Sequence, residues 1–229
     1  MLVTNDDGVG APGIDMLVQT LEQLPDVEVR VVAPASNRSG TGASRSDHVL
    51  FGTVTKTISG HLAVELAGYP ADTVLYAERN GVLAHTDVVV SGVNWGENLG
   101  PGIGGSGTIG AARTAARLGV PALAVSQGVG DPPDFASGAA LAAQWLQDHR
   151  PELLDGGAPA IVTSINIPTC LSGQLRGVVS VPVAVDAAGR ESAKPDCATT
   201  EDDARDDLGG FLLGFATVST FDSDLRPVS

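Results

Sequence analysis

The sequence predicts an α/β protein built on an open, mainly parallel sheet, and three observations carry that prediction. Short β-branched runs alternate with stretches whose apolar residues recur at helical spacing, the rhythm of βαβ units. The run Asp87–Ser91 is near-continuously apolar, as strands covered on both faces of a parallel sheet are. Three polar loops follow strands directly, on the carboxyl edge where such sheets bind ligands.

Leu2 and Val3 form a short strand that stops at Asn5, Asp6 and Asp7. A helix follows from near Gly13, with Ile14, Leu17, Val18, Leu21 and Leu24 on its apolar side, and Pro25 ends it. Glu28–Ala33 is a second strand, closed by Pro34, and the polar segment Ala35–Asp47 is a loop. Val49–Ile58 and His61–Leu66 pair as a hairpin turned at Ser59-Gly60. Pro70 opens a helix to about Arg79, which Asn80-Gly81 stops. After the strand at Asp87–Ser91, Gly92–Gly107 is irregular, with seven glycines in sixteen residues. Helices at Thr108–Leu118 and Phe135–His149 alternate with strands at Ala122–Val125 and Ala160–Ile165. Beyond Pro168 the character changes: Gly177–Val185 reads as strand, Asp186–Asp207 as a solvated acidic loop, and Phe211–Ser219 as a last strand.

Composition narrows the function. Hydrophobic residues make up 43% of the chain but only nine are aromatic, so Val, Ala and Leu must fill the core. A formal charge of −14 argues against a nucleic-acid polymer or an anionic membrane as partner. The same charge would repel a phosphate substrate unless something local reverses the sign. Two cysteines, Cys170 and Cys197, make neither a disulfide framework nor a zinc site, and reduced thiols are expected. No leader pattern opens the sequence and no apolar run approaches the ~18 residues of a membrane span, so a soluble cytoplasmic protein is expected.

The adjacent carboxylates Asp6 and Asp7, at the end of a buried strand, suit either a cation between them or a capped strand-to-helix turn. Together the three loops offer these carboxylates, the hydroxyls of Ser36 and Ser39, and the amides of Asn5, Asn37, Asn94 and Asn98. An all-oxygen set suits Mg²⁺, Mn²⁺ or Ca²⁺, not zinc. Ser106-Gly107-Thr108 leads into a helix, where free N–H groups can seat a phosphate, although Ser and Thr are also common caps. Competing motifs are weaker. Gly100–Gly105 matches a dinucleotide fingerprint but lies some nine residues beyond its strand, and Gly102–Thr108 has glycine where a P-loop needs lysine. The four histidines show no zinc-ligand spacing.

Five segments occur in order: Val3–Gly13 with Asn5-Asp6-Asp7, Val31–Gly40 with Asn37-Arg38-Ser39, Gly68–Asp72, Val90–Gly100 with Asn94 and Asn98, and Ser106–Ala112. Together they resemble the SurE family, the stationary-phase survival protein E nucleotidases, well over about residues 1–127 and thinly from 168 onward. The resemblance implies a Rossmann-like core over residues 1–167 with helices on both faces of the sheet. A C-terminal β-rich extension over 168–229 would pack on that core, within a single domain, and serve assembly of a homodimer or homotetramer. It also implies a 5′/3′-nucleotidase, a phosphomonoesterase using one divalent cation, Mg²⁺ or Mn²⁺, with Ca²⁺ able to stand in within a crystal. By motif position Asp6, Asp7, Ser39 and Asn94 would hold the metal, with Asp6 and Asp7 catalytic. Asn5, Asn98, Ser106, Gly107 and Thr108 would lie around the phosphate of a nucleoside monophosphate. The family usually has an acidic pair and a tyrosine after Asn-Leu-Gly; here that segment is Pro101-Gly-Ile-Gly-Gly105. Two alternatives follow from that departure: a phosphatase for a non-nucleotide metabolite, or a non-catalytic relative that binds metal and nucleotide.

Overall fold

A computed structural model describes residues 1–187, 189–190 and 193–228, so residues 188, 191 and 192 of the expected acidic loop lie outside the description. One nine-stranded sheet runs through the molecule in the order β3-β4-β2-β1-β5-β6-β7-β9-β8. Its strands are β1 (Leu2–Thr4), β2 (Arg30–Pro34), β3 (Thr53–Lys56), β4 (Leu62–Leu66), β5 (Val89–Trp95), β6 (Ala122–Gln127), β7 (Val162–Ile167), β8 (Val178–Ser180) and β9 (Ala216–Phe221). Pairings from β4 through β2, β1, β5 and β6 to β7 are all parallel. Only β3 against β4 and β9 against β7 are antiparallel, which makes the sheet mainly parallel as the sequence predicts.

Strand periodicity divides the core in two, because successive side chains point to opposite faces. Val3 joins one layer with α1 (Pro12–Leu21) and α4 (Phe135–Asp148), through Ile14, Leu17, Val18, Ala139 and Leu146. Its neighbour Leu2 joins the other, with α2 (Pro70–Arg79) and α3 (Gly107–Arg117), through Val74, Ala77, Ile109, Ala112 and Ala115. Helices therefore cover both faces. α3 is alanine-rich on its buried side, which lets it lie close to the sheet.

Before residue 148 the differences are of length: β5 runs on to Trp95 into the stretch expected to be irregular, α1 stops at Leu21, and β3 covers only Thr53–Lys56; larger differences follow. A short helix, α5 (Arg150–Leu154), continues α4 after a break, and the strand expected at 177–185 pairs only over Val178–Ser180. The expected last strand is displaced: α6 (Asp207–Leu212) occupies its start, and β9 begins at Ala216. The free-thiol expectation is corrected, since Cys170 and Cys197 form a disulfide with Cα atoms 5.7 Å apart. Twenty-seven residues separate them in sequence, and only the return of the chain from β8 toward α6 brings them together. No helix among the described residues is long and apolar enough to cross a membrane.

Candidate active site at the carboxyl edge

From β1 the chain moves outward through β2 to β4, then returns to the other side of β1 to build β5, β6 and β7. The gap between β1 and β5 is thus the topological switch point, where open α/β sheets bind ligands. Asn5, Asp6 and Asp7 leave β1 at that point, and Asn94 lies near the end of β5. The β5–β6 register shifts between Ser91 and Asn94, and this irregularity sets the facing of Asn94.

Asp6 is 2% exposed and its carboxylate sits at the N-terminus of α3. Thr108 Oγ1 donates to Asp6 Oδ1 at 2.7 Å. Burial pushes the Asp6 carboxyl above its ordinary value, and bonds from the side chain and backbone of Thr108 and from the Gly107 backbone oppose this. Gly107 is required by contact, because a Cβ there would lie 2.7 Å from Asp6 Cβ and 2.8 Å from Oδ2. Asp7 is held from two sides: Asn37 Nδ2 donates to Oδ1 at 2.9 Å and the Trp95 backbone N–H to Oδ2 at 3.2 Å. Burial, then repulsion from Asp6, pushes Asp7 up as well.

Other expected residues divide between the site and its frame. Asn5 braces the turn, donating to the Gly8 carbonyl at 2.9 Å and accepting the Gly8 N–H at 3.2 Å. Asn94 donates to the Gly96 carbonyl at 2.6 Å, leaving its amide oxygen free to act as a ligand. Ser39 is exposed on the loop after β2, and its N–H is taken by Asn37 Oδ1 at 2.9 Å. A single amide thus links Asp7 to the Ser39 segment, and sequence reasoning had named Asn37 only as one loop amide among several. Ser106 caps α3, its Oγ accepting the Ile109 N–H at 3.2 Å. Asn98 is pinned to the sheet: its side chain donates to Ser126 Oγ at 2.8 Å and its N–H to Asn166 Oδ1 at 2.7 Å. Direct hydrogen bonds therefore gather Asn37 and the Trp95 backbone on Asp7 and Thr108 on Asp6, with Asn94 one residue from that contact on β5. The α3 N-terminus, expected to seat phosphate, also receives the Asp6 carboxylate through Thr108.

Arg38 was missed as well. Its N–H bonds the Asp6 carbonyl at 2.6 Å, and its guanidinium lies 5.7 Å over the Tyr69 ring. No sequence signal separates it from the other basic residues except its place between Asn37 and Ser39.

Residues 1–189 match the family model described as Survival protein SurE. The chain belongs to the SurE family. Over 181 residues it is 36% identical to the 5′-nucleotidase SurE of Symbiobacterium thermophilum, covering 78% of this chain and 69% of that protein. It is 37% identical to the 5′/3′-nucleotidase SurE of Serratia proteamaculans over 178 residues, 78% of this chain and 67% of the relative. The crystal structure of the SurE protein from Aquifex aeolicus superposes with a TM-score of 0.75 at 28% identity, over 98% of this chain and 94% of that one. Structural likeness to SurE thus extends past residue 189, where the family match ends. The unmatched stretch contributes to the frame of the site in this SurE-family chain. Asp207 Oδ2 accepts the Gly100 N–H at 2.9 Å and Oδ1 the Ala184 N–H at 2.8 Å, tying α6 to the segment after β5.

Proposed function

We propose that this SurE-family protein is a divalent-metal-dependent phosphomonoesterase that hydrolyses nucleoside monophosphates. The observation that carries the reading is the pair of adjacent, substantially buried carboxylates at the switch point, both raised by burial. Two such charges side by side are costly unless a cation lies against them. The oxygen-rich donor set of Asp6, Asp7, Ser39 and Asn94 fits a hard cation, Mg²⁺ or Mn²⁺. Among the described residues no group of three or more His, Cys, Asp or Glu is placed to hold a metal ion. A site with only two carboxylates and neutral oxygens agrees with that and leaves room for substrate oxygens.

When bound, the cation supplies neutralisation of the phosphate charge and Lewis-acid activation of water. The chain's own residues do the positioning. Asn37 and the Trp95 N–H fix Asp7, and Thr108 with the α3 N-terminus fixes Asp6. The phosphate would lie against the turn before α3 and Asn98, whose amide keeps one N–H beyond the Ser126 bond. Water oxygen attacks phosphorus in line as the phosphorus–oxygen ester bond breaks, and the proton the water gives up ends on the leaving alkoxide oxygen, yielding the alcohol and inorganic phosphate. Residues 1–167 would form the catalytic core, with 168–229 as an extension used in homodimer or homotetramer assembly.

The reading carries a cytoplasmic setting, where thiol reductants keep most cysteines unpaired. The Cys170–Cys197 disulfide is an exception to that habit, and alkylation before and after reduction should show both thiols reacting only after reduction. The functional test is phosphate release from nucleoside 5′- and 3′-monophosphates with Mg²⁺ or Mn²⁺. Release abolished by EDTA is expected. Metal binding by the folded chain without release from any nucleotide would overturn the assignment.

A further inference from the structure

A groove of about 660 Å³ opens beside the site, at the carboxyl ends of β5, β6 and β7. Its volume lies in the range of small-molecule sites, roughly 300–1,000 Å³. Trp95, the last residue of β5, lines it and is 54% exposed. This is the residue whose backbone N–H holds the Asp7 carboxylate, so the groove begins at the residue that braces the carboxylate pair. Val129, Leu171 and Phe211 supply further apolar lining. The polar side chains include Glu97 and Asp131 against the single cation Lys194.

From this arrangement, and resting on the hydrolase reading above, we propose that Trp95 selects the leaving group by stacking on an uncharged planar ring. An indole left half in water beside a reaction centre gains by covering its face with a flat π-system. Aliphatic leaving groups offer no such face. The two carboxylates disfavour a leaving group that carries a second phosphate. Trp95 therefore favours a leaving group that bears a neutral heteroaromatic ring over one without a planar face, such as glycerol or a sugar.

The test uses the full chain with Mg²⁺ or Mn²⁺, comparing wild type, Trp95→Ala and Trp95→Phe on adenosine 5′-monophosphate and glycerol phosphate. Trp95→Ala should lower the preference for the nucleotide, as a ratio of kcat/KM values, by about tenfold, mainly through KM. Trp95→Phe should restore most of it. A preference unchanged in Trp95→Ala, or one that falls through kcat and is not restored by Phe, overturns the proposal. A second readout needs no turnover. In Trp145→Phe, where Trp95 is the one remaining tryptophan, adenosine should quench fluorescence saturably and ribose should not. Quenching without phosphate release from any substrate would refute the hydrolase and keep the ring subsite. Release without quenching or altered preference would refute the subsite alone.

Discussion

At the residue scale the chemistry rests on groups that position one another. Asp7→Asn should reduce phosphate release by on the order of 10²-fold or more, the scale for losing one preorganised electrostatic group. It should also remove most of the gain in Tm that Mg²⁺ or Mn²⁺ gives the wild type, which thermal melts with and without EDTA would read. Gly107→Ala should be worse than its single methyl suggests. That methyl meets the Asp6 carboxylate, so a stability loss of about 1–3 kcal/mol should accompany loss of activity. Denaturant melts and the phosphate assay measure the two effects, and a stable, active Gly107→Ala would show that Asp6 can move. Asp6 and Asp7 were legible in the sequence because two adjacent charges after an apolar strand have few purposes. Their partners were not: Thr108 lies 102 residues from Asp6 and Trp95 lies 88 from Asp7, separations that no local pattern spans.

At the element scale, periodic segments with clear punctuation could be read directly. Pro70 and Asn80 bracket α2 over its expected span, and the ten residues of α1 carry their apolar stripe toward the sheet. α6 was hidden because two glycines occupy the middle of a six-residue helix, and its signal comes from the Asp206 cap and tertiary contacts instead. A tie between elements was also invisible. Asp15 on α1 accepts the Ser59 N–H at 2.7 Å, fastening the β3–β4 turn to the helix. Burial pushes the Asp15 carboxyl up, but donors from Ser59, Thr57 and Gln19 outweigh it and hold the group below its ordinary value. The stability it contributes is therefore complete above the unfolded value of about 3.9 and is lost as pH falls through the lower folded value. Asp15→Ala should cost about 1–3 kcal/mol at pH 7, with the gap to wild type closing in acid. Urea melts at pH 7 and near pH 3 would show it, and a gap that is the same at both would mean the carboxylate is dispensable.

At the scale of the molecule, alternating strands and helices announced the parallel core, but the order at the sheet's far side could not be read. Nothing in residues 168–221 says that β9 inserts between β7 and β8, because antiparallel insertion depends on which edge remains open after the core closes. The disulfide and Asp207 bind this region to the catalytic edge from two directions. Replacing both cysteines with serine should cost about 3 kcal/mol for a loop of this length. Asp207→Ala strands the buried N–H groups of Gly100 and Ala184, and should lower both stability and activity by loosening the segment that carries Asn98. Equal kcat/KM in wild type and Asp207→Ala would separate that region from the chemistry. The insertion of β9 also bears on synthesis. As the chain leaves the ribosome, β8 emerges before the strand it must pair with, and β7 waits with one edge uncovered until residue 216 arrives. A chain stalled or cut in the acidic stretch would hold a nearly finished core with a sticky, apolar border, the kind of species chaperones and proteases receive.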